Sequence, residues 1–426
     1  MKGPRILRSV LLFAIAVGVS TTAAAQEKSD FTFAFHGYIA GSLYYQDQQV
    51  FPGNGQQAWL VNSQANTHNK LFGSDVRTSR LNFSLAGPKV LAGATPKGVV
   101  EFDFSNNAGP GTFGDASLLP RFRLGFAELN WGNTAVRFGQ DHQLLIGSSP
   151  WQAPFVPASA GHLGYPLSYQ AGEIGWRVPT IALYQQMPMP GGLNAEFALA
   201  VMRSQWRAPI DVVATIPGTF SAAATAVVPE WSTPVTSHGE ESGLPAVEAR
   251  LQVASREYRL FVSGHYGQAH RAGFGIDEAA GRPNDIDIIA GQVGARAIIG
   301  PVVVQGMAYV GKNLAPFVAN LVQFQNDDRG NVHEWGAWGQ LGFNFTPEWS
   351  VWGFAGTSDP NDQDIRNAGL TRVQNRTYSG MLRYLQGGFM IGLEWLHWVT
   401  NTINAAGAST GSPEANQYMI TGAYTF

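Results

Sequence analysis

Gln417-Tyr418-Met419-Ile420-Thr421-Gly422-Ala423-Tyr424-Thr425-Phe426 decides the fold class. Tyr418, Ile420, Gly422, Tyr424 and Phe426 share one parity, and Gln417, Thr421 and Thr425 share the other. A strand points successive side chains to opposite sides, so this segment has one apolar, aromatic-rimmed face and one polar face. Ser79 to Ala86 repeats the pattern, with Leu81, Phe83 and Leu85 against Arg80, Asn82 and Ser84. A soluble sandwich alternates in the same way, so the connections must discriminate.

Those connections alternate between tight turns and long polar loops. That is the signature of a closed up-and-down barrel in a bilayer, where each membrane face has its own loop length. The tight set is Trp131-Gly132-Asn133, 188–192, Ser255-Arg256, Gly300-Pro301, Thr346-Pro347-Glu348 and Gln386-Gly387-Gly388, with Pro88 to Lys97 the longer exception. All are rich in turn formers. Between them fall eight long stretches, including Gln46 to Val76, Asp141 to Gly175, Gln205 to Gly243, Lys312 to Asn331 and Asp359 to Asn375. Strands are expected near 33–45, 78–87, 98–104, 121–131, 135–141, 175–186, 193–204, 245–255, 257–269, 286–299, 302–311, 333–345, 348–357, 377–385, 388–400 and 415–426. The reading is all-β: one transmembrane antiparallel up-and-down β-barrel of sixteen strands, both ends on the short-turn side. Phe343, Phe345 and Trp349 at one tight turn, and Trp395 with Trp398 toward a long loop, give both interfaces an aromatic girdle.

Lys2, Arg5 and Arg8 precede the apolar run Val10 to Val19, and Ala23-Ala24-Ala25 offers a small-residue cleavage site. This predicts a signal peptide over 1–25 and a barrel domain over 26–426. The run is about half the ~20 apolar residues a crossing helix needs, so any crossing is by strands. Charged residues make up 13% of the chain, about half the usual ~25%, as a lipid-facing surface requires. The formal net charge is −3, and loss of the three basic residues in 1–25 leaves 24 against 30 acidic, or −6. That balance argues against a nucleic-acid partner. With no cysteine, disulfides and thiolate metal sites are excluded.

Sixteen strands enclose a space wider than side chains fill, so loops must set the bore. Asp141 to Gly175 carries Pro150, Trp151, Pro154, Phe155, Pro157, Tyr165 and Pro166, a stiffened composition suited to folding inward, to external packing or to latching a subunit. Gln205 to Gly243, rich in Ala, Val and Thr, is assigned to capping or subunit contact. Parity turns Arg80, Arg121, Arg123 and Arg137 to the water side, with Arg77 near the rim and Glu101 and Asp103 on the same wall. Five cations against two carboxylates read either as ladder pairs in a wet wall or as an anion-attracting lining. Arg250, Arg296 and Arg383 also point inward, offset by Glu248, Glu334 and Glu394. Glu128 breaks the scheme by sharing parity with Phe122, Leu124 and Phe126, which marks a bulge, a rim or a buried contact.

Catalytic and metal signatures are weak. Gly109-Pro110-Gly111-Thr112-Phe113-Gly114 spells a dinucleotide fingerprint, but no helix follows it. His265 and His270 lack helical zinc spacing and read as solvated. Asp359, Asn361, Asp362 and Asp364 gather hard oxygens that suit Ca²⁺ but lack the rest of an EF-hand loop, so turn residues are the better reading. No metal or cofactor is expected.

The chain resembles the Gram-negative outer-membrane porin superfamily in the Ser79 to Gly87 strand, the Phe122 to Gly139 hairpin with Ala127-Glu128-Leu129 and Val136-Arg137-Phe138-Gly139-Gln140, and the terminal Tyr424-Thr425-Phe426. Phe138-Gly139-Gln140 and Gly161-His162-Leu163-Gly164-Tyr165 look most like the DcaP-type trimeric porins. The N-terminal coiled-coil segment of those porins and the acidic third-loop motif of general porins have no counterpart here. The resemblance implies a homotrimer in outer-membrane lipid, Tyr424 and Phe426 as an assembly signal, and passive diffusion of small hydrophilic solutes without catalysis. With the arginine wall, a modest preference for anionic solutes is expected. The competing readings are a barrel hydrolase and an adhesin or structural barrel with a blocked interior.

Overall fold

The alternation in 415–426 becomes the closing seam of a ring. The computed structural model describes residues 31–426 except 53–54, 62–69, 111–115, 164–165, 205–237, 271–284 and 325–329. Sixteen barrel strands follow in order: β1 (Thr32–Gln46), β2 in two pieces (Leu71–Asp75 and Arg80–Ala86), β3 (Thr95–Pro110), β4 (Ala116–Asn130), β5 (Thr134–His142), β6 (Arg177–Pro188), β7 (Asn194–Met202) and β8 (Ala246–Ala254). The second half comprises β9 (Tyr258–His270), β10 (Asp285–Ile299), β11 (Val302–Lys312), β12 (His333–Asn344), β13 (Trp349–Pro360), β14 (Arg372–Gln386), β15 (Phe389–Ile403) and β16 (Glu414–Thr425). Each pairs antiparallel with its chain neighbours, and β16 pairs with β1 from Tyr38 opposite Thr425 to Gln46 opposite Gln417.

Closure removes the unpaired edge that a sheet in lipid cannot tolerate. Gly37 and Phe426 finish the seam by exchanging two backbone hydrogen bonds of 3.0 Å. A Cβ on Gly37 would stand 2.3 Å from the Arg80 carbonyl, so this approach needs glycine. Among the described residues no helix is long and apolar enough to cross a membrane.

Parity governs burial. In β8 buried and exposed residues alternate without a break. The outward set includes Ile39, Leu43, Ile181, Leu251, Val262, Leu341, Leu393 and Ile420, all exposed. Trp335, Trp395 and Tyr418 lie toward the long-loop end, and Phe343, Trp349 and Phe389 toward the short turns. Trp398 departs from expectation: its parity is opposite to Trp395, and it is fully buried against Leu396, Ala415 and the first-loop residues Ala58 and Val61.

Two further differences have local causes. β3 and β4 run farther than expected because backbone pairing, with register shifts after Asp103 and Asn107, carries the polar Ser105 to Pro110 into the hairpin. The Gly111 to Gly114 half of the dinucleotide match lies outside the described residues, as do 1–25, 26–30 and most of Gln205 to Gly243. In β4, Glu101 opposes Leu124 while Phe102 opposes Phe122. Arg123 is therefore an inserted bulge residue, which exchanges the faces beyond it. Phe122 stays outside, whereas Leu124 and Glu128 turn inward and are buried. The bulge resolves the anomaly at Glu128.

Candidate functional site

The third long loop, from His142 to Arg177, folds into the barrel interior. Its path is fixed by inward side chains of the wall accepting or donating to its backbone. Leu144 N donates to Glu248 on β8 (2.6 Å), Ala158 N to Gln340 on β12 (2.7 Å), Gly161 N to Glu394 on β15 (2.7 Å), and Gly172 N to the Ser358 hydroxyl on β13 (3.1 Å). Ser159 adds its hydroxyl to Glu394 at 2.9 Å. Gly172 has φ +102°, and a Cβ there would meet the Ala337 backbone at 2.2 Å, so the loop lies directly on the β12 wall. At the tip, the Leu163 carbonyl accepts from Tyr38 Oη (3.0 Å) and Arg80 Nη2 (3.3 Å), which closes the loop against β1 and β2.

Two other loops join it, which sequence reasoning missed. In the first, the hairpin Val50–Pro52 with Ala58–Val61 sits inside, where the Trp59 carbonyl accepts from Asn375 Nδ2 (3.1 Å) and Val61 N donates to Thr400 (2.9 Å). In the sixth, Asn320 N donates to Glu334 on β12 (2.7 Å), and Gly175 N of the third loop donates to the Phe317 carbonyl (3.0 Å). Val318, Asn320, Leu321 and Val322 all have left-handed φ of 51–59°, a conformation costing about 1–2 kcal/mol per residue. Arg372 holds it by donating to the Leu321 and Val322 carbonyls at 2.9 and 3.2 Å. Trp59-Leu60-Val61 and Leu314 to Val318 carry the same apolar stiffness that singled out the third loop. That signal was present in all three.

Two titratable groups in the third loop are buried, and neither forms an ion pair with a described residue. Burial pushes the Glu173 carboxyl up to about 8 against the opposing bond from the Ser168 hydroxyl. Burial likewise lowers the His162 imidazole to about 4, while its Nε2–H donates to the Ala58 carbonyl at 3.2 Å. Both are neutral from about pH 4 to about pH 8, so the loop docks there with neither group charged.

Facing the loop tip is the arginine wall, and it is fully matched. Arg77 binds Asp75 (2.5 Å), Arg121 binds Asp103 (2.6 Å), and Arg80 lies 3.6 Å from Glu101. Arg123 bridges Glu101 (2.8 Å) and Asp103 (2.7 Å), and Arg137 bridges Glu128 (2.7 Å) and Asp141 (2.9 Å). Five arginines therefore meet five carboxylates, because Asp75, Glu128 and Asp141 were not counted on this wall from sequence. Asp141 was legible, since it shares the parity of Arg137 four residues away. Exposure is uneven within the pairs: the side chains of Arg77, Arg80 and Arg121 are 18%, 20% and 16% exposed, their carboxylate partners 1%, 9% and 0%.

The remaining inward residues divide. Arg250 is buried on Glu196 (2.6 Å), and Glu248 accepts from the loop and from the His265 ring (2.9 Å), so His265 is not solvated as expected. Arg383 lies over the Trp352 ring at 5.2 Å, Glu334 anchors the sixth loop, and Arg296 stays exposed on the inner face of β10. The four Ca²⁺ candidates go to separate tasks. Asp359 accepts from Gln374 (3.0 Å), Asn361 caps the short helix Asp362–Asn367, which places Asp362 in its first turn, and Asp364 accepts from His333 (2.8 Å). Among the described residues no group of acidic, histidine or cysteine side chains is placed to hold a metal.

No family model matches the chain, and no curated protein matches it. Among solved structures it is similar to the outer membrane channel DcaP of Acinetobacter baumannii, at 14% identity and TM-score 0.67 over 94% of this chain and 99% of that one. It is also similar to an anion-selective porin from Comamonas acidovorans (13%, TM-score 0.55, 93% and 100%). A third is Salmonella typhi OmpF in complex with daunomycin (11%, TM-score 0.52, 92% and 97%). The likeness is one of fold: the chain forms the same kind of closed barrel as these outer-membrane channels.

Proposed function

We propose that this porin-type barrel is an outer-membrane diffusion channel, exported by residues 1–25 and assembled as a homotrimer, that passes small hydrophilic solutes with a modest preference for anions. The observation that carries the selectivity is the layering of the wall facing Leu163. Guanidinium edges of Arg80 and Arg121 meet the interior while their carboxylates lie behind them. A passing ion samples the nearer charge more strongly, since Coulomb energy falls with distance and with screening. In this reading Arg77, Arg80, Glu101, Asp103, Arg121, Arg123 and Arg137 line one side of the narrowest passage, and the third loop lines the other. Further along, Glu248, Arg250, Arg296, Glu334 and Arg383 belong to the wall on which the loops rest.

A barrel hydrolase is the weaker reading, because it needs a serine activated by histidine. None of the described histidine rings bonds a serine hydroxyl; His265 bonds Glu248, His162 the Ala58 carbonyl, and His333 Asp364.

The test is the reversal potential in a salt gradient across a planar bilayer. Replacing Arg80 and Arg121 together by Gln is expected to move it toward cations while the protein still assembles. An assembled double variant with an unmoved reversal potential would mean that these edges are not the filter.

A further inference from the structure

Away from the arginine wall, on the opposite side of the interior, Arg259 on β9 and Arg296 on β10 stand directly opposite each other in register. Both point inward: Phe261 and Gln292 share their parities, and the Gln292 amide donates to the Leu145 carbonyl of the third loop. Directly opposed inward residues hold their Cβ atoms about 5 Å apart, and like charges so placed are unfavourable without a counter-charge. Neither arginine forms an ion pair with a carboxylate among the described residues, and Glu196, which acts on Arg259 through space, is bonded to Arg250. Arg259 spends its donors on neutral acceptors, namely Gln252 Oε1 (2.8 Å), the Ala153 carbonyl (2.9 Å) and the Gly147 carbonyl. Arg296 forms no ion pair with a described residue and remains exposed. Glu196 is taken by Arg250 and Ser149, and Glu257, at the adjacent turn, faces Ser255.

The pair is also held ready. Arg259 is fixed over the Phe155 and Phe261 rings at 5.3 and 5.5 Å, while the next inward position in register with Arg296 is Gln305, tied to Gln340 at 2.7 Å. The third loop roofs this shelf through Gly147, Ala153 and Ala158. Both arginines lie near the short turns, Arg259 at the start of its strand and Arg296 near the end of its own.

We infer that Arg259 and Arg296 form an oxyanion-binding station between the third loop and the short-turn mouth, one that takes the carboxylate or phosphate group of a solute traversing the barrel. The exposed Arg296 supplies the donors, and the buried Arg259, held by Gln252, Ala153 and Gly147, adds a fixed positive charge beside them, a combination that a lone cation lacks. The inference rests on the channel reading above but adds a site which that reading does not require.

The experiment is single-channel recording of chloride current with inorganic phosphate titrated on the short-turn side. Phosphate is expected to reduce the wild-type current. Arg296→Gln should raise the half-blocking concentration roughly tenfold, as loss of a charge-assisted contact implies, while Arg296→Lys restores most of the effect. Gel migration of unheated and boiled samples verifies that each variant is assembled. A wild-type barrel that carries chloride current without phosphate block overturns the station and leaves the channel standing, as does an Arg296→Gln titration that overlays the wild type. A barrel that carries no current at all overturns the channel and the station together.

Discussion

Removing Ser148 to Gly172 raises single-channel conductance severalfold and admits larger solutes. This segment carries the bonds from Ala158 to Gln340, from Gly161 and Ser159 to Glu394, and from Gly172 to Ser358, which hold the loop across the interior. It also carries Leu163, whose carbonyl closes the tip onto Tyr38 and Arg80. A ring of sixteen strands is wider than its side chains can fill, so deleting the crossing segment opens the space it occupied. The first and sixth loops remain inside and bound the increase. A comparable deletion within Gln205 to Gly243 is expected to change conductance less. If that fourth-loop deletion opens the channel and the third-loop deletion does not, the constriction has been assigned to the wrong loop.

Arg123→Glu is expected to abolish assembly. Arg123 is 3% exposed and bridges Glu101 and Asp103 across the β4 bulge. Breaking a buried ion pair by removing one partner costs about 3–5 kcal/mol, and the reversal adds a third carboxylate beside Glu101 and Asp103, which are left with only Arg80 and Arg121. The sequence alone suggests the same substitution as a selectivity variant, because parity identifies an inward arginine without revealing how deeply it is paired. The readout is the shift in gel migration between unheated and boiled protein, which a closed strand ladder in detergent produces. The shift is expected to vanish for Arg123→Glu and persist for Arg80→Gln. An Arg123→Glu barrel that keeps the shift would show that the bridge is not needed for assembly.

Strand number, inside-outside parity and the inward third loop were legible because each rests on a local pattern: period-two alternation, turn chemistry, or proline and aromatic content. What failed was non-local. The parity of Glu128 announces an anomaly and a bulge is among its readings, but the place of the bulge at Arg123 is set by pairing with β3, which the local sequence does not show. The charge surplus on the wall dissolved because Asp75 and Asp141, at the strand ends, and Glu128, beyond the bulge, were left out of the count. Trp398 looked like a girdle residue by composition, yet its parity sends it inside beneath the first loop. The clearest omission was the inward course of the first and sixth loops. Their apolar runs were visible, but only the packed interior says that there is room for three.

The central claim is that water and small ions pass through this barrel alongside the third loop and past the exposed guanidinium edges of the arginine wall. Recording purified wild-type protein in a planar bilayer under a salt gradient tests it most directly. The account predicts discrete, stepwise insertion of conducting units with a reversal potential displaced modestly toward the anion equilibrium. Correctly assembled protein that inserts without carrying current would contradict it and favour a barrel whose interior is closed by its loops.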